Sequence, residues 1–207
     1  MNLQSLPNVL TVGRILAVPL VVALFYWTSN PWAAPLAALV FILAAVTDWI
    51  DGYLARRLGV TTPLGAFLDP VADKLMVATA LVLLVAHDPR PLVVVCAMVI
   101  VGREITVSAL REWMSHVGAR ATVAVSSLGK WKTILQMTGL SLMVYRVDLL
   151  GLPIYDMGVV LLVVAAVLTL WSMVSYLRAA WPELRREPAH QDAAGSSAGS
   201  GQEPGRG

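Results

Sequence analysis

Six apolar stretches, near residues 9–28, 33–56, 64–86, 91–112, 128–147 and 155–179, dominate the sequence. Each is long enough to cross a bilayer as a helix, which takes about 20 residues. Backbone surrounded by hydrocarbon must satisfy its own hydrogen bonds, and a lone apolar stretch does so as an α-helix. The expected fold class is therefore all-α, a polytopic membrane protein with six transmembrane helices. Pro31, Pro63, Pro89, Pro91 and Pro153 fall between the stretches or at helix starts, where a missing N–H costs little. Trp27, Trp32, Trp113, Trp131 and Trp181 lie near stretch ends, as an interfacial aromatic belt requires. Composition agrees: 57% of the 207 residues are hydrophobic and 14% charged, against roughly 25% charged in soluble domains.

The first stretch is longer than the apolar core of a secretory signal and carries Arg14, so it reads as a retained span. Beyond Pro182 the chain turns to Gly, Ser, Ala, Gln and Pro, too polar to offset its ordering entropy. The expected organisation is a membrane domain over residues 1–181 and a disordered cytoplasmic tail over 182–207. Basic residues set the orientation. Arg56, Arg57, Arg111, Arg120, Lys130, Lys132, Arg178, Arg185 and Arg186 gather on one side, while Arg90 and Arg146 lie on the other. The positive-inside rule then places both termini in the cytoplasm. Cys96 is the sole cysteine and reads as a small buried residue, which excludes an intrachain disulfide and a thiolate metal site. His87, His116 and His190 stand apart from one another and suit exposed or interfacial positions.

The segment from Asp48 to Asp73 breaks this apolar pattern. An aspartate near a bilayer centre costs roughly 2.5–3.5 kcal/mol on insertion scales, so four cost about 10 kcal/mol without compensation. Asp48 and Asp51 are three residues apart, and Asp69 and Asp73 four apart, so each pair shares one helical face. Counted from Val60 in the intervening turn, Asp51 and Asp69 are each nine residues away, Asp48 twelve and Asp73 thirteen. An antiparallel hairpin brings all four to similar depth near the cytoplasmic end. Such carboxylates repel unless cations join them. Two divalent cations would balance them, and an all-oxygen set favours Mg²⁺ or Mn²⁺ over zinc. A pair of such ions suits in-line phosphoryl displacement. Gly52, Ala55 and Gly65 leave room for a ligand beside the carboxylates, and the planar fork of Arg56 fits a phosphate. Two alternatives stay open here. The glycines could serve helix packing, and an intramembrane aspartate could belong to an ion pair or a proton path.

In full the segment is Asp48-x2-Asp51-Gly52-x2-Ala55-Arg56-x8-Gly65-x3-Asp69-x3-Asp73. It resembles the signature of the CDP-alcohol phosphotransferase family at each of its specified positions. Pro7-Asn8-x2-Thr11-x2-Arg14 resembles the amino-terminal motif of the family's bacterial branch. Gly102-Arg103-Glu104, Ser108 to Trp113 and Gly129 to Thr133 are similar to the branch that makes phosphatidylglycerophosphate. The similarity covers roughly residues 5–180 and leaves out the tail.

The resemblance implies a six-helix fold, usually homodimeric, with a dinuclear metal site open to membrane and cytoplasm. It implies that Asp48, Asp51, Asp69 and Asp73 bind metal and that Asp73 is the catalytic base. It assigns nucleotide contacts to Asn8, Thr11, Asp48, Gly52, Ala55, Arg56 and Gly65. The implied substrates are CDP-diacylglycerol and glycerol 3-phosphate, which yield phosphatidylglycerophosphate and CMP at the cytoplasmic face of the cell membrane. Membrane lipids are expected partners and nucleic acid is not.

A basic set at the fourth and fifth stretches, Arg103, Arg111, Lys130 and Lys132, suits the acceptor phosphate. Its simpler explanation is topology plus Arg103–Glu104 or Arg111–Glu112 salt bridges. Rival readings are the same chemistry with inositol phosphate, serine or phosphatidylglycerol as acceptor, and, from another class, a cation or proton transporter. A transporter needs neither Arg56 nor a basic acceptor cluster, and often shows related halves.

Overall fold

The computed structural model describes residues 6–58, 63–116 and 127–184. They form six α-helices: α1 (Leu6–Tyr26), α2 (Ala33–Leu58), α3 (Pro63–His87), α4 (Pro91–His116), α5 (Ser127–Tyr145) and α6 (Ile154–Leu184). Each of the six apolar stretches is thus a helix. Pro63 and Pro91 open α3 and α4, and Pro153 directly precedes α6. Pro19 of α1 and Pro70 of α3 lie in helix interiors. Helix α6 continues through Leu184; residues 185–207, most of the expected tail, lie outside the described residues, as does Arg120.

Among the described residues, two helices are apolar over a bilayer's full thickness, Pro91–Met114 and Ile154–Ser175. Leu10–Tyr26 and Ala33–Asp48 are shorter apolar helices. The apolar part of α2 ends at the first aspartate, so the charge that shortens the span also belongs to the candidate site. The outward faces are greasy. Val12, Leu16 and Leu20 form an exposed row on α1, and Val160, Val164, Val167 and Trp171 form another on α6. Water would penalise such rows, whereas lipid would not. All five end-of-stretch tryptophans are exposed.

Inside the bundle, Phe41, Leu81, Leu84, Ile100, Leu140 and Leu162 are fully enclosed. Small residues such as Ala37, Ala72, Ala80 and Ala165 let the helices come close. Helix α1 packs against α2 and α3, α5 pairs most intimately with α6, α4 rests on α6 and α2 also meets α5. The α5–α6 seam is a backbone contact. A Cβ on Gly158 would fall 2.7 Å from Met143 Cγ and 2.9 Å from the Gly139 carbonyl oxygen.

The helix ends at Tyr26, His87, Tyr145 and Ile154 meet in one polar and aromatic knot, here called the Tyr26 end. His87 makes edge-on ring contacts with Phe25 and Tyr155. Arg90 Nε donates to both Asp88 oxygens at 2.9 and 2.8 Å, and the Tyr155 hydroxyl donates to Asp88 Oδ2 at 2.9 Å. Arg146 follows α5 in the left-handed region (φ 52°), donates to the Phe25 carbonyl at 3.1 Å and lies 3.9 Å from that ring's centre. These contacts hold α1, α3, α5 and α6 at a common level, from which depth along each helix can be counted.

Candidate active site

From the Tyr26 end, every helix contributes a polar or charged residue at nearly one depth. Thr11 and Arg14 lie 15 and 12 residues before Tyr26, and Asp48 lies 15 after Ala33. Asp73 lies 14 residues before His87, and Arg103 and Glu104 lie 12 and 13 after Pro91. Lys132 lies 13 residues before Tyr145, and Thr169 lies 15 after Ile154. At 1.5 Å per residue these positions fall in a layer about 18–22 Å from the Tyr26 end. Asp69, one turn further along α3, borders it.

Helix α1 ties the two acidic helices together. Thr11 and Arg14 are three residues apart, share a face and are both buried. Arg14 forms an ion pair with Asp48 of α2, and the Thr11 hydroxyl donates to Asp69 Oδ1 of α3 at 2.5 Å. The fixed fork of Arg14 supplies part of the compensation that intramembrane aspartates demand. Asp48 keeps 41% of its side-chain surface accessible, so its partner is buried while the carboxylate faces an opening. Asp48 lies within electrostatic reach of Asp69 and Asp73, and Asp73 of Glu104. Gly65 is buried on α3, one turn before Asp69.

The donor set fits a hard divalent cation. It consists of carboxylate oxygens from facing helices, and the repulsion among them is what such a cation relieves. Among the described residues no three acidic, His or Cys side chains converge closely enough to enclose an ion. The Asp51 side chain lies outside the described residues. So do those of Asn8, Gly52, Ala55, Arg56, Arg111 and Lys130, although their backbones fall within α1, α2, α4 and α5.

Of the basic set, Lys132 is buried at 6% exposure. Arg103 is paired with its neighbour Glu104, the salt bridge named above as the simpler explanation. Its Nε is buried and has no hydrogen-bond partner among the described residues.

Three buried polar residues carry more weight here than their sequence suggested. Arg14 looked like a motif position and is the partner of Asp48. Gln136 and Thr169 lie within apolar stretches, and both are buried. The signal available for Gln136 was its place one turn from Lys132. For Thr169 it was the equality of its depth with Asp48.

A helical membrane protein with facing aspartates on two helices, braced by a third, is the class that this fold and site define. The CDP-alcohol phosphatidyltransferase family model matches residues 4–171, and the chain belongs to that family. Its relatives include the CDP-diacylglycerol–glycerol-3-phosphate 3-phosphatidyltransferase of Pseudomonas fluorescens, 48% identical over 89% of this chain and 94% of the relative. The enzyme of the same name from Salmonella choleraesuis (strain SC-B67) is 47% identical over 87% of this chain and 97% of the relative. A cardiolipin synthase (CMP-forming) of Oryza sativa subsp. japonica is 49% identical over 87% of this chain, which spans 58% of that longer protein. Members of the family generally use divalent metal. Family and apolar helices together make this a membrane protein.

Proposed function

We propose that this protein transfers the phosphatidyl group of CDP-diacylglycerol to glycerol 3-phosphate, giving phosphatidylglycerophosphate and CMP in phospholipid biosynthesis. The observation that carries the reading is the pairing of α1 with both acidic helices, Arg14 to Asp48 and Thr11 to Asp69, inside the signature segment. The near-complete coverage of the two bacterial relatives supports glycerol 3-phosphate as acceptor. Family membership removes the grounds for the transporter alternative.

All six helices cross the cytoplasmic membrane, both termini and the site face the cytoplasm, and the protein works as a homodimer. Residues 1–181 are the catalytic unit and 182–207 a tail outside it. Asp48, Asp51, Asp69 and Asp73 hold two divalent cations, Mg²⁺ or Mn²⁺. When bound, these neutralise pyrophosphate charge and stabilise the entering and leaving oxygens. The donor enters sideways with its acyl chains in lipid. Asn8, Thr11, Asp48, Gly52, Ala55, Arg56 and Gly65 hold its nucleotide.

Arg103, Arg111, Lys130 and Lys132 receive the acceptor phosphate. Asp73 takes the proton from the acceptor's 1-hydroxyl, whose oxygen bonds to the lipid-side phosphorus. The bond from that phosphorus to the bridging oxygen breaks, and CMP leaves. Arg56 stabilises the growing negative charge, and holding both reactants at one depth supplies proximity.

A second reading, phosphatidylglycerol as acceptor, draws on the rice relative, whose 49% identity is close to the 48% and 47% of the bacterial ones. Detergent-purified protein given CDP-diacylglycerol with each acceptor separately decides between them by the lipid formed. Phosphatidylglycerophosphate supports the first reading, and cardiolipin replaces it with the second.

A further inference from the structure

Thr169 is the most enclosed polar group of α6, at 1% exposure, and its hydroxyl has no hydrogen-bond partner among the described residues. A hydroxyl in a helix has an easy remedy, the carbonyl four residues back. Thr47, Ser141 and Ser175 take it, donating to Leu43, Met137 and Trp171 at 2.6, 2.7 and 3.1 Å. Thr169 does not. Its hydroxyl is therefore buried at the usual cost of an unmade hydrogen bond.

The helical register shows what it faces. Gly158 and Leu162 meet Gly139 across the α5–α6 seam. Thr169 is eleven residues beyond Gly158 and seven beyond Leu162, so at 3.6 residues per turn it lies on the same stripe of α6. Lys132 is seven residues before Gly139 and lies on the matching stripe of α5. The two stand at like depth on opposing faces, at the level of Asp48 and Asp73. Register thus sets a cation and an uncommitted hydroxyl at one level of the α5–α6 pair, at the depth of Asp48 and Asp73.

Resting on the function proposed above, we infer that Thr169 is a specificity-determining residue for the acceptor. Its hydroxyl bonds the alcohol at the acceptor's second carbon, while Lys132 takes the phosphate. A threonine hydroxyl both donates and accepts, which matches an alcohol; a phosphate would use its donor alone. A site built to bond a substrate hydroxyl disfavours the analogue lacking it, because its own polar group is then left unpaired.

The test compares glycerol 3-phosphate with 3-hydroxypropyl phosphate, which keeps the attacking hydroxyl and the phosphate but lacks the second alcohol. Initial rates of CMP release are measured with the full-length wild type, Thr169→Val and Thr169→Ser in detergent. Wild type is expected to prefer glycerol 3-phosphate by about tenfold or more in kcat/KM, and Thr169→Val to reduce that preference to within about twofold. The loss should fall on the acceptor KM, with the CDP-diacylglycerol KM unchanged, and Thr169→Ser should restore the preference. Equal weakening toward both acceptors would assign Thr169 to the phosphate and overturn the inference. So would an unaltered preference in Thr169→Val that elutes as a single species. Failure of wild type to release CMP with glycerol 3-phosphate would instead sink the functional reading beneath it.

Discussion

Asp73 and Arg14 carry the sharpest predictions at the scale of single residues. Asp73→Asn removes the proposed base at almost unchanged volume. We expect CMP release to fall below detection while the variant elutes like wild type, and near-normal turnover would remove the assigned role. Arg14 acts through Asp48. Removing one member of a buried ion pair costs about 3–5 kcal/mol; because Asp48 is partly accessible, about 3 kcal/mol is expected. For a bundle of this size that lowers the thermal midpoint of Arg14→Leu by about 6–12 °C, read by melting in detergent. An unchanged midpoint would show that the pair contributes nothing to the fold. Arg14 also shows the limit of reading residues singly. Its position inside an apolar stretch demanded a partner, but Asp48 lies 34 positions away and nothing local named it.

At the scale of elements, the α5–α6 seam and the Tyr26 end do different work. The seam depends on missing side chains. In Gly158→Ala the new methyl could displace the flexible Met143, but the Gly139 carbonyl 2.9 Å away is backbone and cannot yield without separating the helices. Gly158→Ala should therefore melt well below wild type, whereas Gly13→Ala, whose Cβ meets nothing within 4 Å, should not. Equal midpoints for the two variants would refute the close seam.

The Tyr26 end depends on charge. Hydrogen bonds from Arg90, then from Tyr155, hold the Asp88 carboxyl below its usual range. A carboxyl depressed in the folded state stabilises above its unfolded pKa, near 3.9, and loses that contribution as pH falls through the lower folded value. Wild type should therefore outlast Asp88→Asn in melting experiments from pH 7 down to about 5, and the gap should close only below about pH 4. A gap closing between pH 7 and 5 would exclude Asp88 as its source. That α3 ends and α4 begins around this knot was readable from Pro89 and Pro91. The convergence of Phe25, Tyr155 and Arg146 on it was not, because those residues come from three other places in the chain.

For the whole molecule, the proposed orientation puts the Tyr26 end outside and the aspartates towards the cytoplasm. Leu150, in the exposed turn between α5 and α6, offers the check. With Cys96 replaced by Ala, a single Leu150→Cys should react with a membrane-impermeant maleimide on intact cells. Reaction confined to inverted vesicles would reverse the topology. The proposed metal dependence also belongs to the assembled bundle, since the acidic side chains come from separate helices. Chelation should abolish CMP release, and Mg²⁺ or Mn²⁺ should restore it; turnover that survives exhaustive chelation would exclude the metal role.

The sequence by itself determined the solvent and the local geometry. Hydrocarbon leaves an isolated apolar stretch one good conformation, and helical periodicity fixed which neighbours share a face, as Asp69 and Asp73 do. It also carried the family signature, because the aspartates lie close together in the chain. Tertiary structure alone decided how helices rotate and slide against one another. That setting comes from distant contacts, glycine against backbone at the α5–α6 seam and charge against ring at the Tyr26 end. Through it Arg14 reaches Asp48, Thr11 reaches Asp69, and Thr169 and Lys132 come to the depth of the carboxylates.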